Sequence, residues 1–254
     1  MAQARVIRFR DEFRDFLRFV KRPTPGPRLP RAAMPALAAD WVGSIRIGRL
    51  LRWVLVLWLV NLAVLGPVAA AVASMSGASH RLDPTQLPLM LALVWAPIVE
   101  ELMFRFGLRR PGAALWLLPA FVLIVIYGRS PWLGSLLAAL LALTAWPRLP
   151  GVRWRLRTWR RYRRWFPFVF HVAAFAFAIL HLLNFTALGG VTWWLLPLFV
   201  LPQWVTGLVL GWMRVRTGIG ASIALHAMFN TGPVMLLLLL SWAASMVEDS
   251  LKAM

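Results

Sequence analysis

The sequence predicts an all-α, polytopic transmembrane helical bundle of about seven spans, preceded by an N-terminal amphipathic helix at the membrane interface. Three observations predict this class: an apolar composition, a series of separate apolar runs, and a basic charge confined to the segments between them. Of the 254 residues, 60% are hydrophobic, and Trp and Phe number 15 each. A soluble domain needs far less apolar material to fill its core, so the excess is expected to face lipid.

The apolar runs divide the chain into a basic N-terminal segment at 1–49 and a transmembrane domain at 50–247. Each run is close to the roughly 20 residues that cross a bilayer as a helix. The predicted spans are residues 50–74, 87–109, 112–128, 131–147, 166–185, 191–213 and 219–246, of which the third and fourth are the shortest. A long arginine-rich stretch precedes the first run, which is not the arrangement of a cleaved signal peptide.

The net charge of +19 indicates membrane topology rather than nucleic-acid binding, because the basic residues lie between the apolar runs. In the seven-span arrangement only Arg81, Arg129 and Lys252 fall on one side, and the other 25 Lys and Arg fall on the opposite side. The positive-inside rule then places the N-terminus in the cytoplasm and the C-terminus outside. A chain rich in arginine and poor in lysine suggests a bacterial inner membrane.

Two basic segments are expected to contact anionic lipid headgroups. Residues 5–21 place phenylalanines and arginines at helical spacing, which is typical of a helix lying on a lipid surface, although a plain solvated segment is an alternative. The prolines that follow end this helix. Residues 148–164 carry eight arginines interleaved with Trp and Tyr, which predicts a loop at the level of the headgroups.

The main functional signal is a pair of adjacent carboxylates inside an apolar run. The acidic residues expected to face water are Asp11, Glu12, Asp15, Asp40, Asp83, Glu248 and Asp249. Glu100 and Glu101 instead lie inside the second span, where an ionised carboxylate costs about 3 kcal/mol. Glu101 and Arg105 share a helical face and can pair, which leaves Glu100 without a local cation and suited to act as a general base.

Histidine and asparagine in two other apolar runs complete the candidate set. His181 lies in the fifth span, with Phe177 one turn earlier. In the seventh span His226 and Asn230 share a helical face, and Ser222 lies one turn before His226. A single histidine in a membrane helix is more often an interhelical hydrogen-bonding residue than a catalyst. Several such residues together favour a catalytic site, and the absence of cysteine excludes a cysteine nucleophile.

These residues form three motifs in chain order: EExxxR at 100–105, FxxxH at 177–181 and HxxxN at 226–230. The combination resembles the CAAX protease and bacteriocin-processing family of intramembrane endopeptidases, also called the type II CAAX prenyl protease or abortive-infection family. The resemblance covers about residues 85–240. An inserted hairpin at about 112–165 separates the first two motifs and departs from the typical family pattern.

The resemblance implies an intramembrane endopeptidase that hydrolyses a membrane-associated peptide or protein. Glu100 and His181 would activate a water molecule. His226 and Asn230 would stabilise the oxyanion of the tetrahedral intermediate. The two residues that would hold the site together are Glu101 and Arg105.

The role of zinc is left open by the sequence. Glu100, His181 and His226 could form a catalytic site of two histidines and one carboxylate. The chain has no HExxH motif and the three residues come from separate spans, so a metal-independent glutamate mechanism without a cofactor is favoured.

Two other functions also remain open. One is a catalytically silent membrane scaffold or immunity-type protein, against which the intact motif residues argue. The other is an ion- or proton-coupled transporter, which would predict an internal repeat, and the sequence shows none.

Overall fold

The computed structural model describes residues 8–29, 36–80, 89–111, 156–187 and 192–252. The backbone of these residues is mostly helical, which confirms the predicted all-α class. The predicted third and fourth spans, at 112–128 and 131–147, lie outside the described residues, as does most of the predicted insertion.

The elements follow one another with short connections. The α-helices are α1 (Phe9–Lys21), α2 (Ala36–Asp40), α3 (Ile47–Val60), α4 (Gly66–Ser76), α5 (Ala96–Phe104), α6 (Leu156–Leu180), α7 (Leu196–Arg216) and α8 (Ile219–Lys252). The 3-10 and π turns are Val42–Ser44, Asn61–Leu65, Leu91–Trp95, Phe106–Leu108, His181–Asn184 and Trp193–Leu195. Two short strands, β1 (Ser79–His80) and β2 (Phe185–Thr186), pair antiparallel.

Four helical stretches of the described chain are long and apolar enough to cross a membrane. They are Ile47–Ser76, Arg157–Asn184, Trp193–Arg216 and Ile219–Val247. These stretches coincide with the predicted first, fifth, sixth and seventh spans. In the predicted second span, the described helical run covers residues 89–104, which include the π turn Leu91–Trp95 and α5, and it is not among these four stretches. A helical membrane protein is therefore supported, and the total of seven spans stays a prediction.

Two π turns each precede a proline near the start of the next helix. Asn61–Leu65 leads into α4 with its Pro67, and Leu91–Trp95 leads into α5 with its Pro97. Proline has no N–H to donate, and its ring collides with the carbonyl four residues earlier in a regular helix. A wider turn relieves this collision, so the helical path continues past the proline. In α5 that path continues to the two adjacent glutamates.

Helix α7 is the centre of the bundle. It packs against α4, α6 and α8, and all residues from 206 to 216 are buried. Its Trp212 meets Trp53 of α3 with ring centroids 4.8 Å apart. The outer faces of the helices expose large apolar side chains such as Leu59 and Leu240, as expected for surfaces that meet lipid.

Contacts at the ends of the helices define two sides of the bundle. On one side, β1 and β2 hold the ends of α4 and α6 together. On the other side, the backbone N–H of Leu29 donates to the carbonyl of Arg216, and Arg109 Nη1 donates to the carbonyl of Val215. The N-terminal segment and the end of α5 therefore meet at the C-terminal end of α7.

Helix α1 packs its aromatic face onto the bundle. Phe13 stacks on Trp53 at 5.9 Å, and Phe16 meets both Trp53 and Trp212 edge-on. The exposed basic residues of its outer face are Arg10, Arg14, Arg18 and Lys21. The aromatic face thus binds protein, and the predicted position of this helix on a lipid surface stays a prediction.

Two acidic residues of the N-terminal segment are buried, although the sequence predicts that they face water. Glu12 is 4% exposed and accepts a hydrogen bond from Arg49 at 2.8 Å. Asp40 is 2% exposed and accepts hydrogen bonds from Arg28 and Arg214, each at 2.8 Å. The prediction was wrong because the sequence does not reveal that this segment folds against the bundle.

Candidate active site

A group of polar side chains lies between α5 and α8, and we call it the site cluster. Its members are Glu100, Glu101, Arg105, Ser222 and His226. Glu101 and Arg105 pair as the sequence predicts, with 2.5 Å between Oε1 and Nη1. Both side chains are almost completely buried, so each needs the other's charge.

His226 links the two glutamates. Its Nδ1 lies 2.9 Å from Glu101 Oε1, and its Nε2 lies 3.7 Å from Glu100 Oε2. Because an ionised carboxylate only accepts hydrogen bonds, the contact at Nδ1 requires a proton on that nitrogen. Glu101 therefore orients the imidazole so that Nε2 faces Glu100.

Glu101 has three side-chain partners. Its Oε1 accepts from Arg105 and His226, and its Oε2 accepts from the hydroxyl of Ser222. Ser222 also lies 2.9 Å from the carbonyl of Leu210 on α7, and it precedes His226 by one turn of α8. The sequence showed that the serine shares a face with His226, and the structure gives it a partner.

Glu100 differs from its neighbour in both exposure and pairing. Its side chain is 26% exposed, and its buried Oε2 atom has no hydrogen-bond partner within the described parts of the chain. The 3.7 Å to His226 Nε2 exceeds a direct hydrogen bond, and at such a distance a water molecule can bridge the two atoms. This carboxylate is thus suited to act on a molecule that enters the site.

Phe177 connects the second motif with the other two. The Arg105 guanidinium lies 3.9 Å over its ring centroid. The same ring is 5.7 Å from the ring of His226 and 4.6 Å from the ring of His181. His181 Nδ1 lies 2.8 Å from the carbonyl of Phe177, and this side chain is within electrostatic range of Glu100. The sequence identified Phe177 as a motif residue without predicting this role.

Asn230 joins α8 to the π turn before α5. Its Nδ2 donates to the carbonyl of Ala92 at 2.9 Å. Within that helical stretch, the N–H of Ala96 bonds to Leu91, and Pro97 has no N–H, so Asn230 provides Ala92 with a donor. The predicted oxyanion role of Asn230 stays a prediction.

Arg214 supports the site cluster from the end of α7. It is fully buried, and its guanidinium donates to the carbonyls of Arg105 at 3.2 Å and Phe106 at 3.3 Å. From the sequence, Arg214 is only one of the basic residues that follow the predicted sixth span, at 191–213, and this contact was missed. The available signal was the position of Arg214 directly after the apolar run of the sixth span, because the helix continues through it to Arg216.

Glu100, His181 and His226 do not form a ready zinc site. Among the residues that the structure describes, no three His, Cys, Asp or Glu side chains are grouped so that they could hold a metal ion. Glu101 contacts Nδ1 of His226, which does not argue against zinc, because a metal-bound histidine commonly donates its other ring N–H to a carboxylate. The metal-independent mechanism therefore stays a prediction.

The region that contains the site cluster matches a known protein family. The family described as Type II CAAX prenyl endopeptidase Rce1-like matches residues 84–232, which is more than half of the chain. This range contains all three motifs, so the resemblance drawn from the sequence is confirmed. No curated protein and no solved structure matches the chain at a significant level.

Proposed function

Because the chain belongs to the Rce1-like family of type II CAAX prenyl endopeptidases, we propose that it hydrolyses a membrane-associated peptide or protein within the bilayer. The observation that carries this proposal is the Glu100 carboxylate, which has an unpaired buried oxygen 3.7 Å from His226 Nε2. Peptide hydrolysis needs a base that activates water and donors that stabilise the developing oxyanion. Glu100 and His226 supply these two kinds of group.

In the proposed reaction, Glu100 accepts a proton from a water molecule, with His181 assisting. The resulting hydroxide attacks the carbonyl carbon of the scissile peptide bond. The oxyanion forms against His226 Nε2 and the Asn230 amide, which requires a proton on Nε2 in addition to the proton on Nδ1. When the carbon–nitrogen bond breaks, Glu100 gives its proton to the leaving amine, so the products are a carboxylic acid and an amine.

Glu101 and Arg105 act on this reaction through His226. The Arg105 guanidinium neutralises Glu101, and Glu101 holds Nδ1 of His226 at 2.9 Å. Neither residue needs to touch the substrate in this role. They are therefore positioning residues, as the resemblance implied.

We also propose that the side of the bundle at the C-terminal end of α7, where the N-terminal segment lies, contacts anionic lipid headgroups at the cytoplasmic face of a bacterial inner membrane. The exposed basic residues near the start of α6 are Arg157, Arg160, Arg161, Arg163 and Arg164. A surface cavity of about 480 Å³ is lined by Asp15, Arg18, Phe19, Lys21, Arg22 and Arg216. Clustered cations at this side suit lipid phosphates and agree with a cytoplasmic N-terminus.

The test is cleavage of a quenched fluorescent peptide library by the purified protein. Glu100→Ala, His181→Ala and His226→Ala are each expected to lose about 10²- to 10⁴-fold in rate. His171→Ala is the matched control, because His171 lies in the same helical stretch as His181, Arg157–Asn184, but contacts the carbonyl of Val20. The control is expected to cleave like the wild type.

The other hypotheses make different predictions in this experiment. Activity that persists with a strong chelator supports the glutamate mechanism, and activity lost to the chelator supports zinc. Folded wild-type protein that cleaves no peptide favours the silent scaffold. Proton-coupled ion uptake into liposomes that Glu100→Ala abolishes, without cleavage, favours the transporter.

A further inference from the structure

Residues 40–44 run from the last residue of α2 to the end of the 3-10 turn Val42–Ser44, and we call them the clamp segment. They dock against the turn that joins α7 to α8. Asp40 Oδ1 accepts a hydrogen bond from Arg214 Nη1 at 2.8 Å. Ser44 Oγ accepts a hydrogen bond from the backbone N–H of Ala221 at 2.9 Å. One short segment of the N-terminal region therefore contacts the end of α7 and the start of α8.

The first contact extends to the end of α5. Arg214 is fully buried, and besides Asp40 it donates to the carbonyls of Arg105 and Phe106. Asp40 also accepts a hydrogen bond from Arg28 at 2.8 Å, so one carboxylate pairs with two guanidinium groups. Without this carboxylate, the buried charge of Arg214 would be uncompensated and would move toward water, away from the two carbonyls.

The second contact caps α8. The first N–H groups of a helix have no acceptor within the helix, and Gly218 before α8 has no side chain to provide one. Ser44 provides an acceptor to Ala221 from another part of the chain. The fit is close, because a Cβ atom on Gly220 would lie 1.9 Å from the carbonyl oxygen of Trp41. The clamp segment thereby fixes the helix that carries the serine and histidine of the site cluster.

We propose that the clamp segment is a positioning element of the active site, which holds α5 and α8 so that Glu101 and His226 stay in contact. This inference rests on the proposed function, because that contact turns His226 toward Glu100. The two residues meet at 2.9 Å across two helices, so a shift of either helix by about 1 Å would weaken the contact. The clamp segment lies outside the 84–232 range that matches the family, so this support comes from the chain's own N-terminal region.

Four variants test the inference. Asp40→Asn removes the charge that holds Arg214, and Ser44→Ala removes the acceptor for α8, whereas Ser44→Thr keeps that acceptor. Glu12→Gln is the matched control, because it breaks an equally short and buried N-terminal pair with Arg49 that joins α1 to α3. Cleavage is measured as kcat and KM for the folded fraction. Spectra of isotope-labelled histidine report the Nδ1 proton of His226, which can be assigned because the chain has only four histidines.

We expect Asp40→Asn and Ser44→Ala to lower kcat by about tenfold to a hundredfold, with little change in KM. The hydrogen-bonded Nδ1–H signal of His226 should shift or disappear in both variants. Ser44→Thr should restore kcat and the signal. Glu12→Gln should unfold more easily but keep the wild-type kcat and signal.

The inference is overturned if folded Asp40→Asn and Ser44→Ala both keep the wild-type signal, or if Glu12→Gln alters it equally. If Asp40→Asn does not fold, Ser44→Ala and Ser44→Thr decide the outcome. The spectra do not depend on cleavage. A wild-type protein that cleaves nothing would therefore remove the proposed function, while the signal would still show whether the clamp segment positions His226.

Discussion

The site cluster and the network around the clamp segment are both groups of buried charges, but they are balanced in opposite ways. The site cluster has two carboxylates and one guanidinium. The network around the clamp segment has one carboxylate, Asp40, and two guanidiniums, Arg28 and Arg214. In that network no buried side-chain nitrogen or oxygen lacks a partner. In the site cluster, Glu100 Oε2 and Arg105 Nη2 have none among the described residues.

This difference separates a structural role from a chemical one. A buried polar group with all its hydrogen bonds made keeps one conformation, because any movement leaves a donor or acceptor unpaired. A group with an unmade hydrogen bond can instead bond to an incoming molecule, which the Glu100 oxygen would do as an acceptor. Breaking the paired residues should therefore lower stability, and changing Glu100 should mainly lower activity.

The largest expected effect is that of Arg105→Ala. It leaves the buried carboxylate of Glu101 unpaired and should lower the free energy of unfolding by about 3–5 kcal/mol. The double variant Glu101→Gln with Arg105→Met removes both charges and should recover much of that loss. Thermal unfolding in detergent measures both. A single Arg105→Ala variant as stable as the wild type would contradict the structural role of this pair.

A smaller effect is expected when the clamp segment is displaced without any change in charge. Gly220→Ala places a Cβ atom against the carbonyl of Trp41 and should cost about 1–3 kcal/mol of unfolding free energy. Gly48→Ala is the matched control on α3, where a Cβ atom meets nothing within 4 Å, and it should be neutral or slightly stabilising. Denaturation curves of both variants give the comparison. Equal stability of the two would show that the fit at Gly220 is not needed.

The next effect depends on pH. Burial alone would raise the pKa of Asp40, but the charges of Arg214 and Arg28 outweigh it and hold that pKa below its usual value of about 3.9. Stability from this carboxylate is therefore present above that usual value and is lost as the pH falls through the lower pKa of the folded protein. Melting temperatures measured from about pH 6 to pH 3 should fall in the wild type. The melting temperature of Asp40→Asn should fall less over the same pH range. An identical fall in both proteins would contradict a contribution of the Asp40 carboxylate to stability.

The smallest effect on stability is expected for Glu100→Gln. The carboxylate has an unpaired oxygen and partial exposure, so the free energy of unfolding should change by less than about 0.5 kcal/mol. The melting temperature of the purified variant checks this. A strong destabilisation would mean that Glu100 holds the bundle together like Glu101, and the contrast between the two glutamates would disappear.

Local patterns in the sequence predicted the features that depend on one helix. The apolar runs gave the class and four of the spans, and the four-residue spacing gave the Glu101–Arg105 pair. The same spacing placed Ser222, His226 and Asn230 on one face of α8. These predictions succeed because helical periodicity decides which residues share a face.

The partners across helices could not be predicted in this way. Periodicity shows which way a side chain points but not what it meets, so the contact of Glu101 with His226 was missed. Asp40 and Arg214 are separated by most of the chain. The sequence predicted that Asp40 faces water and that Arg214 follows the end of a span, so nothing indicated that they pair. The packing of α1 on Trp53 was missed for the same reason, because an aromatic face suits lipid and protein equally well.

Pro97 and Asn230 are distant in the chain but act on the same backbone carbonyl, that of Ala92. The proline removes a donor from one helix, and the asparagine supplies a donor from another, so the carbonyl of Ala92 depends on Asn230 because residue 97 is a proline. Neither residue is fully interpretable alone. Two positions more than a hundred residues apart thus depend on one backbone oxygen. If residue 97 were not a proline, its backbone N–H could bond to that oxygen, and the fold would no longer need the side-chain donor at position 230.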